Sequence, residues 1–311
     1  MNLRFELHER VRCNAAVRGA EGAAWLARLP RLVAELESAW GIKVGRIFPN
    51  ATEAYVSEAS KANGEQVVLK VPLAGSEKSA RELGMLQAAN GRGYVRLLRY
   101  DPESGAMLLE RLGPQLAQMN NPVDKQIEII CATLQSAWMP LPHGMYAMTG
   151  GKKADEMAAY IQLVWPKLGE PCSRRAVAVA LRFAAARRNA FDPASAVLGH
   201  GDAHGWNTLY DPKAGNFKFV DPDGLFIERA HDLSISMREW SADLLAGDPV
   251  ILGRQRCELL ANLTGVDPVP IWQWGFIERL VNGLLYLERG PAENAAEFLD
   301  VVEAWALTEP S

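Results

Sequence analysis

The sequence lacks a long hydrophobic run. A membrane-spanning helix needs about 18 or more consecutive apolar residues, and no such stretch occurs in the chain. The first residues, MNLRFELHERVRCN, interrupt every apolar stretch with charge, which is not the pattern of a secretory signal. We therefore expect a cytoplasmic protein that does not bind a membrane.

The sequence has few cysteines, and they lie far apart. The four cysteines, Cys13, Cys131, Cys172 and Cys257, form no C-x-x-C pair, which excludes a sequence-readable zinc site or redox motif. We expect buried, reduced thiols.

Strong positive charge is also missing. Lys and Arg number 33 against 37 Asp and Glu and are spread along the chain, so there is no basic patch of the kind that binds nucleic acid. The net charge of -4 suits a cationic ligand better than an anionic polymer.

The length predicts two folding units. At 311 residues the chain exceeds the ~250 to 300 at which one hydrophobic core usually stops growing. A sheet-plus-helix segment, residues 1–110, precedes a mainly helical segment, residues 111–311, so the predicted fold class is α+β. We expect a ligand-binding cleft near the boundary at Arg111.

Periodicity locates the elements of the first segment. Helical spacing runs from Trp25 to Trp40, and Pro30 is predicted to begin a second helical segment. The stretches KVGRIF, EAYVSEA and EQVVLKV read as strands, and Asn63-Gly64 favours a hairpin between the last two. Ser76 can cap a helix that follows. Two further strands are predicted in YVRLLRY and AMLLERL.

The second segment is predicted to be almost entirely helical, apart from the hairpin NTLYDPKAGNFKFVD. Just before this hairpin lies HGDAHGWN, His200 to Asn207, which holds two of the five histidines. If the stretch is extended, His200, Asp202 and His204 project to one side and could share a zinc or iron ion. A hydrolytic metal site needs further ligands, however, and the other histidines lie in no ligand-spaced pattern.

A phosphoryl-transfer interpretation accounts for more residues. In kinase catalytic loops an Asp orients the acceptor hydroxyl, and an Asn five residues later reaches Mg²⁺. Asp202 and Asn207 have this spacing, and Asp221 ends the strand FKFVD shortly downstream. Because Mg²⁺ needs only one or two protein carboxylates besides water and phosphate oxygens, Asn207 and Asp221 would suffice.

The same interpretation requires a cation on a strand and a carboxylate that holds it. Lys70 ends the run QVVLK, and Glu82 follows twelve residues later in the predicted helix. Each alone would more often be an edge lysine or a solvated glutamate. The ordered set of five residues favours a kinase.

These motifs resemble those of the aminoglycoside phosphotransferase family, and within it the branch of streptomycin 6-kinases and hydroxyurea resistance kinases. The resemblance is carried by VVLK, the helix with Glu82, MLLER, HGDAHGWN and VDPDG, and it covers nearly the whole chain. It implies a bilobal protein-kinase-like fold with a small antiparallel-sheet N-lobe that binds nucleotide and a mainly helical C-lobe with the catalytic loop, metal loop and acceptor site.

The resemblance also implies roles for individual residues. Asp202 would be the catalytic base, with Asn207 and Asp221 as Mg²⁺ ligands. Lys70 would bind the α- and β-phosphates of ATP, and Glu82 would orient Lys70. The strand end from Glu110 to Leu112 would offer backbone groups to the nucleotide base.

Two places depart from the kinase pattern. The phosphate-covering turn FPNATEAYV contains no glycine; Asn50 and Thr52 could donate to phosphate, but a simple hairpin turn is an equal alternative. Gly201 stands where protein kinases usually carry an Arg that senses a phosphorylated activation loop, and the A-P-E signature is missing, which argues against a phospho-regulated protein kinase.

Four residues are candidates for contacting the acceptor: His204, Trp206, Asp223 and Glu228. His204 and Trp206 would face the acceptor or pack the lobe, and the two carboxylates would bind a cationic acceptor or lie on the surface. We expect His200 to support the loop by hydrogen bonds and Asp232 to anchor the loop's backbone.

The function expected from this resemblance is an ATP- and Mg²⁺-dependent phosphotransferase acting on a hydroxyl of a small cationic antibiotic, with streptomycin as the leading acceptor. A metabolic kinase of the same fold, acting on an amino alcohol, amino acid or sugar, is the first alternative. A nucleotide-binding pseudoenzyme is the second. The expected partners are nucleotide and acceptor only, and the expected state is a monomer or weak homodimer.

Overall fold

The computed structural model describes residues 7–48, 51, 53–73, 77–290 and 292–310. The chain divides into two compact units, residues 1–113 and residues 114–311. Residues Asn50, Thr52 and Ser76, to which roles were assigned from the sequence, lie outside the described residues.

Unit 1 consists of three helices and an antiparallel sheet. The helices are α1 (Glu9–Val17), α2 (Gly19–Trp40) and α3 (Glu77–Ala89). The strands are β1 (Ile42–Ile47), β2 (Ala54–Lys61), β3 (Gln66–Pro72), β4 (Leu97–Tyr100) and β5 (Met107–Glu110). They form one sheet in the order β1-β2-β3-β5-β4, so β3 is an interior strand.

Helix α2 differs from the sequence-based expectation. The prediction that a second helical segment begins at Pro30 is wrong, because Pro30 lies inside α2 and the helix pair instead breaks at Gly19, whose φ is +57°. Pro30 removes one backbone hydrogen bond. The helix continues through it because Leu29, Leu32, Val33 and Leu36 lie on one buried face.

The predicted β2–β3 hairpin is confirmed. Asn63 Oδ1 accepts from the Glu65 N–H at 3.0 Å, and Gly64 adopts a φ of +84°, which closes the turn. Along β3, Val67 and its alternate neighbours Leu69 and Val71 pack into the core with the helix pair. Because side chains alternate along a strand, Lys70 lies on the other face of the sheet.

Unit 2 contains most of the helices. They are α4 (Val123–Ala137), α5 (Gly150–Lys167), α6 (Arg174–Ala190), α7 (Arg229–Arg238), α8 (Ser241–Leu245), α9 (Pro249–Thr264), α10 (Pro268–Arg289) and α11 (Ala292–Thr308). Helix α10 lies at the centre, packed against α5, α6, α7 and α11, and Trp274, Phe276 and Ile277 on it are fully buried.

Unit 2 also contains two small sheets. The strands are β6 (Met148–Thr149), β7 (Val197–Gly199), β8 (Thr208–Asp211), β9 (Asn216–Phe219) and β10 (Leu225–Ile227). The predicted β8–β9 hairpin and the mainly helical character of the segment are confirmed, and a second small sheet of β6, β10 and β7 was not predicted. Strands of two or three residues are too short to show an alternating pattern in sequence.

The cysteines are all free thiols. The prediction of burial is confirmed for Cys131, Cys172 and Cys257 and is wrong for Cys13, which is exposed. Burial raises the pKa of Cys131 to about 12, so this thiol stays protonated near neutral pH. Among the described residues, none of the helices combines the length and the hydropathy needed to cross a bilayer.

Candidate active site

In unit 1 the structure brings Lys70 and Glu82 together. Lys70 Nζ lies 2.6 Å from Oε1 and 2.7 Å from Oε2 of Glu82, and the two residues are only 8% and 4% exposed. Neither residue is therefore an edge lysine or a solvated glutamate. Charges this deeply buried need a partner, and each satisfies the other.

Two other residues that were predicted to bind the nucleotide, Glu110 and Leu112, lie at and just beyond the end of β5. Glu110 is tied to Arg96 twice: its N–H donates to the Arg96 carbonyl at 3.0 Å, and its Oε1 accepts from the Arg96 N–H at 2.8 Å. Leu112 is buried. Contact of Glu110 or Leu112 with a nucleotide remains a prediction, as does the role of Thr52, which lies outside the described residues.

In unit 2 two loops are joined by their flanking strands. We call residues 200–207 the catalytic loop, between β7 and β8, and residues 220–224 the metal loop, between β9 and β10. Gly199 pairs with Leu225 across β7 and β10, and Thr208 pairs with Phe219 across β8 and β9. Both ends of the catalytic loop therefore lie beside an end of the metal loop.

Backbone hydrogen bonds tie the loops directly to each other. Val220 N–H donates to the Asn207 carbonyl at 2.9 Å, and Asp223 N–H donates to the His200 carbonyl at 2.7 Å. The strand ladders and these bonds fix the loops as one body.

A buried carboxylate anchors the catalytic loop, as expected for Asp232. Its Oδ2 accepts from the His200 N–H at 2.9 Å and from Trp138 Nε1 at 2.9 Å, and its Oδ1 accepts from the Gly201 N–H at 2.7 Å. Three hydrogen bonds to one carboxyl group fix the start of the loop.

His200 has the supporting role expected from the sequence. Its Nδ1 accepts from the Asp202 N–H at 3.1 Å, so Nε2 carries the proton and donates to the Val220 carbonyl at 3.0 Å. Burial lowers the pKa of His200, which favours the neutral ring. Since both ring nitrogens bind backbone groups, the metal-hydrolase hypothesis loses one of its three ligands.

Three residues in the two loops have a left-handed backbone: Gly201, Asp221 and Gly224. Gly201 has a φ of +88°, and a Cβ there would lie 2.8 Å from Cβ of Asp223, so only glycine fits. Asp221 has a φ of +56° although it carries a side chain and precedes Pro222. Strain of this kind costs on the order of 1 to 3 kcal/mol and is concentrated at functional sites.

The Asp202 carboxylate is held by two basic side chains. Oδ1 accepts from Arg238 Nη2 at 2.8 Å, and Oδ2 lies 3.2 Å from His204 Nε2. Burial opposes ionisation of Asp202, but the Arg238 charge and His204 outweigh it and hold the pKa of Asp202 well below its usual range. The carboxylate is therefore ionised and oriented before any substrate arrives.

Asn207 and Asp221 supply oxygen atoms suited to a hard cation. The Asn207 amide nitrogen donates to the Asp202 carbonyl at 3.0 Å, so the amide oxygen is the end of the side chain left for a ligand. Asp221 is exposed and one residue beyond Val220, which bonds to Asn207. One amide and one carboxylate oxygen fit Mg²⁺, which completes its shell with water and phosphate oxygens.

The four acceptor candidates lie in different settings. Trp206 is 48% exposed, whereas His204 donates to Asp202 and Asp223 is half-buried under Gly201. Glu228 binds Arg187 at 3.1 Å and accepts from Trp274 Nε1 at 2.8 Å, so its carboxylate is already engaged. Binding of an acceptor by these four residues remains a prediction.

Sequence reasoning missed Arg238 and the charges behind it. Arg238 Nη1 lies 3.6 Å from Glu278, a buried carboxylate on α10 that also meets His231 at 3.2 Å. A signal was present: Glu278-Arg279 interrupts the apolar run from Trp274 to Leu284 in a helix that is otherwise core. A charge pair at buried positions indicates a polar network.

The comparisons with known proteins identify a family for this chain. A model of the family described as "Aminoglycoside/hydroxyurea antibiotic resistance kinase" matches residues 43–289. The streptomycin 6-kinase of Streptomyces glaucescens is 30% identical over 88% of this chain and 88% of its own length. That of Streptomyces griseus is 29% identical over 93% of this chain and 92% of its own length.

A solved structure supports the fold class. The choline kinase LicA from Streptococcus pneumoniae superposes with a TM-score of 0.61 at 14% identity, over 90% of this chain and 99% of LicA. The predicted α+β, protein-kinase-like fold is confirmed. The resemblance noted in the sequence is confirmed as well, because the matching family model spans most of the chain. The chain belongs to the family of aminoglycoside/hydroxyurea antibiotic resistance kinases.

Proposed function

We propose that this protein transfers the γ-phosphoryl group of ATP, with Mg²⁺, to a hydroxyl group of a small cationic antibiotic, an aminoglycoside such as streptomycin. The observation that carries the proposal is the arrangement of the catalytic and metal loops. Asp202, Asn207 and Asp221 belong to one hydrogen-bonded body in which the carboxylate of Asp202 is ionised.

Each unit has its own part in the reaction. In unit 1, Lys70 binds the α- and β-phosphates and Glu82 holds its ammonium group in place, while Glu110, Leu112 and Thr52 contribute to nucleotide binding. In unit 2, Asn207 and Asp221 hold Mg²⁺, which when bound neutralises charge on the phosphates. Most of the rate enhancement of such a reaction comes from positioning and charge neutralisation.

Asp202 is the residue that meets the acceptor. Its carboxylate receives the proton of the acceptor hydroxyl as the acceptor oxygen bonds to the γ-phosphorus, and the bond from that phosphorus to the leaving oxygen of ADP breaks. A low pKa makes Asp202 a weak base, which is sufficient because the hydroxyl loses its proton late in a loose transition state.

The acceptor class rests on charge and on the relatives. The chain has a net charge of -4, and Asp223 is the carboxylate candidate for a cationic acceptor, whereas that of Glu228 is engaged by Arg187 and Trp274. The two relatives that match most of the chain are streptomycin 6-kinases. The exposed indole of Trp206 can stack on a sugar or a guanidinium face.

ADP release from the purified full chain, measured with one acceptor at a time, tests the proposal. One panel holds streptomycin, other aminoglycosides and hydroxyurea; the other holds amino alcohols, amino acids and sugars. We expect turnover with an aminoglycoside and a loss of about 10²- to 10⁴-fold in Asp202→Ala with nucleotide binding retained. Turnover confined to the second panel would establish the metabolic kinase instead, and nucleotide binding without turnover would establish the pseudoenzyme.

A further inference from the structure

Arg238, at the end of α7, connects the catalytic carboxylate to two other carboxylates. Its Nη2 donates to Asp202 Oδ1 at 2.8 Å, its Nε donates to Glu239 Oε1 at 2.9 Å, and its Nη1 lies 3.6 Å from Glu278 Oε2. The side chain is 11% exposed. Because a guanidinium group is planar and its donors point in fixed directions, three partners leave it one orientation.

The backbone that carries Arg238 is fastened separately. Arg279, fully buried on α10, donates to the Met237 carbonyl at 2.7 Å and to the Glu239 carbonyl at 3.1 Å. Arg256 on α9 donates to the same Glu239 carbonyl at 2.8 Å. These carbonyls lie at the negative end of the α7 dipole, where cations bind favourably. Arg238 therefore extends from a fixed point.

Glu278 is a permanent counter-charge for Arg238. Burial would raise its pKa, but the contact with His231 at 3.2 Å and the charges of Lys153 and Arg238 outweigh burial and lower the pKa of Glu278 to about 2. The carboxylate is therefore ionised near neutral pH. The guanidinium of Arg238 thus binds Glu278 through Nη1 and Asp202 through Nη2.

We propose that Arg238 is a positioning residue for phosphoryl transfer: it fixes Oδ1 of Asp202 so that Oδ2, the oxygen beside His204, receives the proton of the acceptor hydroxyl. This inference rests on the proposed function. Without Arg238 the carboxylate keeps only the His204 contact at Oδ2, and one contact does not prevent rotation about the Cβ–Cγ bond. Misplacement of a reacting group by about 1 Å can cost on the order of 10²-fold in rate.

The two carboxylate oxygens of Asp202 have different contacts and therefore different roles. Oδ1 is occupied by Arg238, whereas Oδ2 meets one donor, His204, among the described residues and keeps a second lone pair for the hydroxyl. In the transfer step the hydroxyl proton moves to Oδ2, the acceptor oxygen bonds to phosphorus, and ADP leaves with the electron pair of the broken bond. The proton then passes from Oδ2 to water.

Two variants of the full chain test this role. Arg238→Lys keeps a positive charge but cannot reach three carboxylates in one plane. Arg175→Lys makes the same change at a guanidinium that donates to the Ala306 carbonyl, near the end of α11, instead of to Asp202. We expect Arg238→Lys to lower kcat by about 10²-fold with the KM for ATP within about twofold of wild type. We expect Arg175→Lys to leave kcat within about twofold of wild type, because this guanidinium does not bind Asp202.

A second measurement does not depend on turnover. Carbon-13 NMR of aspartate carboxyl groups at neutral pH, with the Asp202 signal assigned from Asp202→Asn, reports the surroundings of the Asp202 carboxylate in wild type, Arg238→Lys and Arg175→Lys. A displaced Asp202 signal in Arg238→Lys, with the wild-type signal in Arg175→Lys, supports the proposal. An undisplaced signal, or wild-type kcat, in Arg238→Lys overturns it. Absence of turnover in wild type with every acceptor defeats the proposed function, while the NMR signal still decides whether Arg238 holds Asp202.

Discussion

Glu82 holds Lys70 with both of its carboxylate oxygens, at 2.6 and 2.7 Å, inside unit 1. In Glu82→Gln the ammonium group stays buried beside a neutral amide. Breaking a buried pair in this way costs about 3 to 5 kcal/mol. We expect the free energy of unfolding to fall by that amount in denaturant titrations and kcat/KM for ATP to fall by about 10²-fold, because Lys70 loses its position.

Glu65→Gln is the matched control for that variant. Lys61 and Glu65 form a Lys–Glu pair at 3.0 Å in the same unit, but at the surface. Such pairs contribute at most about 1 kcal/mol. Equal destabilisation by the two variants would show that burial does not strengthen the Lys70–Glu82 pair.

Asp221→Asn tests the proposed metal ligand. Asparagine tolerates the left-handed backbone of Asp221, whose φ is +56°, so the substitution removes charge and keeps shape. We expect nucleotide affinity to lose its dependence on Mg²⁺ in calorimetric titrations with and without the ion. Asp223→Asn, two residues further in the same loop, should keep that dependence. Identical Mg²⁺ titrations for wild type and Asp221→Asn would assign the ion to other residues.

Gly201→Ala tests the packing of the two loops. Both Gly201 and Gly215 have positive φ angles, +88° and +68°, but only at Gly201 would a Cβ meet neighbours, whereas at Gly215 nothing lies within 4 Å. We expect Gly215→Ala to cost about 1 kcal/mol of backbone strain. Gly201→Ala should cost about 3 kcal/mol or more, since a steric clash adds to the strain. Unfolding in urea measures both, and equal costs would place the whole effect in the backbone.

Glu278 makes the stability of the protein sensitive to acid. Its pKa is lowered from 4.5 to about 2 in the folded chain, so its contribution is complete above pH 4.5 and is lost as the pH falls toward 2. The shift corresponds to about 3 kcal/mol. In Glu278→Gln we expect a lower free energy of unfolding at pH 7 and a difference from wild type that shrinks below pH 4.5. A difference that stays constant from pH 7 to pH 3 would contradict this assignment.

Local sequence signals were sufficient for the hairpins and for the family. Asn63-Gly64 predicts a turn that its own backbone favours, and HGDAHGWN predicts a loop because its residue types and spacing carry the chemistry. The prediction that a helical segment begins at Pro30 is wrong because burial of the α2 face outweighs the loss of one hydrogen bond. Tertiary packing decides whether a helix continues through a proline, and a short stretch of sequence does not show that packing.

The residues that hold Asp202 in place could not be predicted from the sequence for a different reason. Arg238 reaches Asp202 across 36 residues, and Glu278 joins from another helix. Nothing in local spacing selects these partners among many charged residues. The buried charges in α10 indicate that some polar network exists, but only the packing of α7 against α10 identifies its members.

The backbone of Trp206 is held by hydrogen bonds, whereas its side chain is exposed. Gln115 Nε2 donates to its carbonyl at 2.8 Å and its N–H donates to His204 Nδ1 at 3.2 Å, while the indole ring extends into solvent. Any non-proline residue at position 206 can make the same two backbone bonds. If Trp206 contacts the acceptor as proposed, a substitution there changes that contact and leaves the backbone of the catalytic loop in place. Acceptor preference can then change in evolution while catalytic competence is kept.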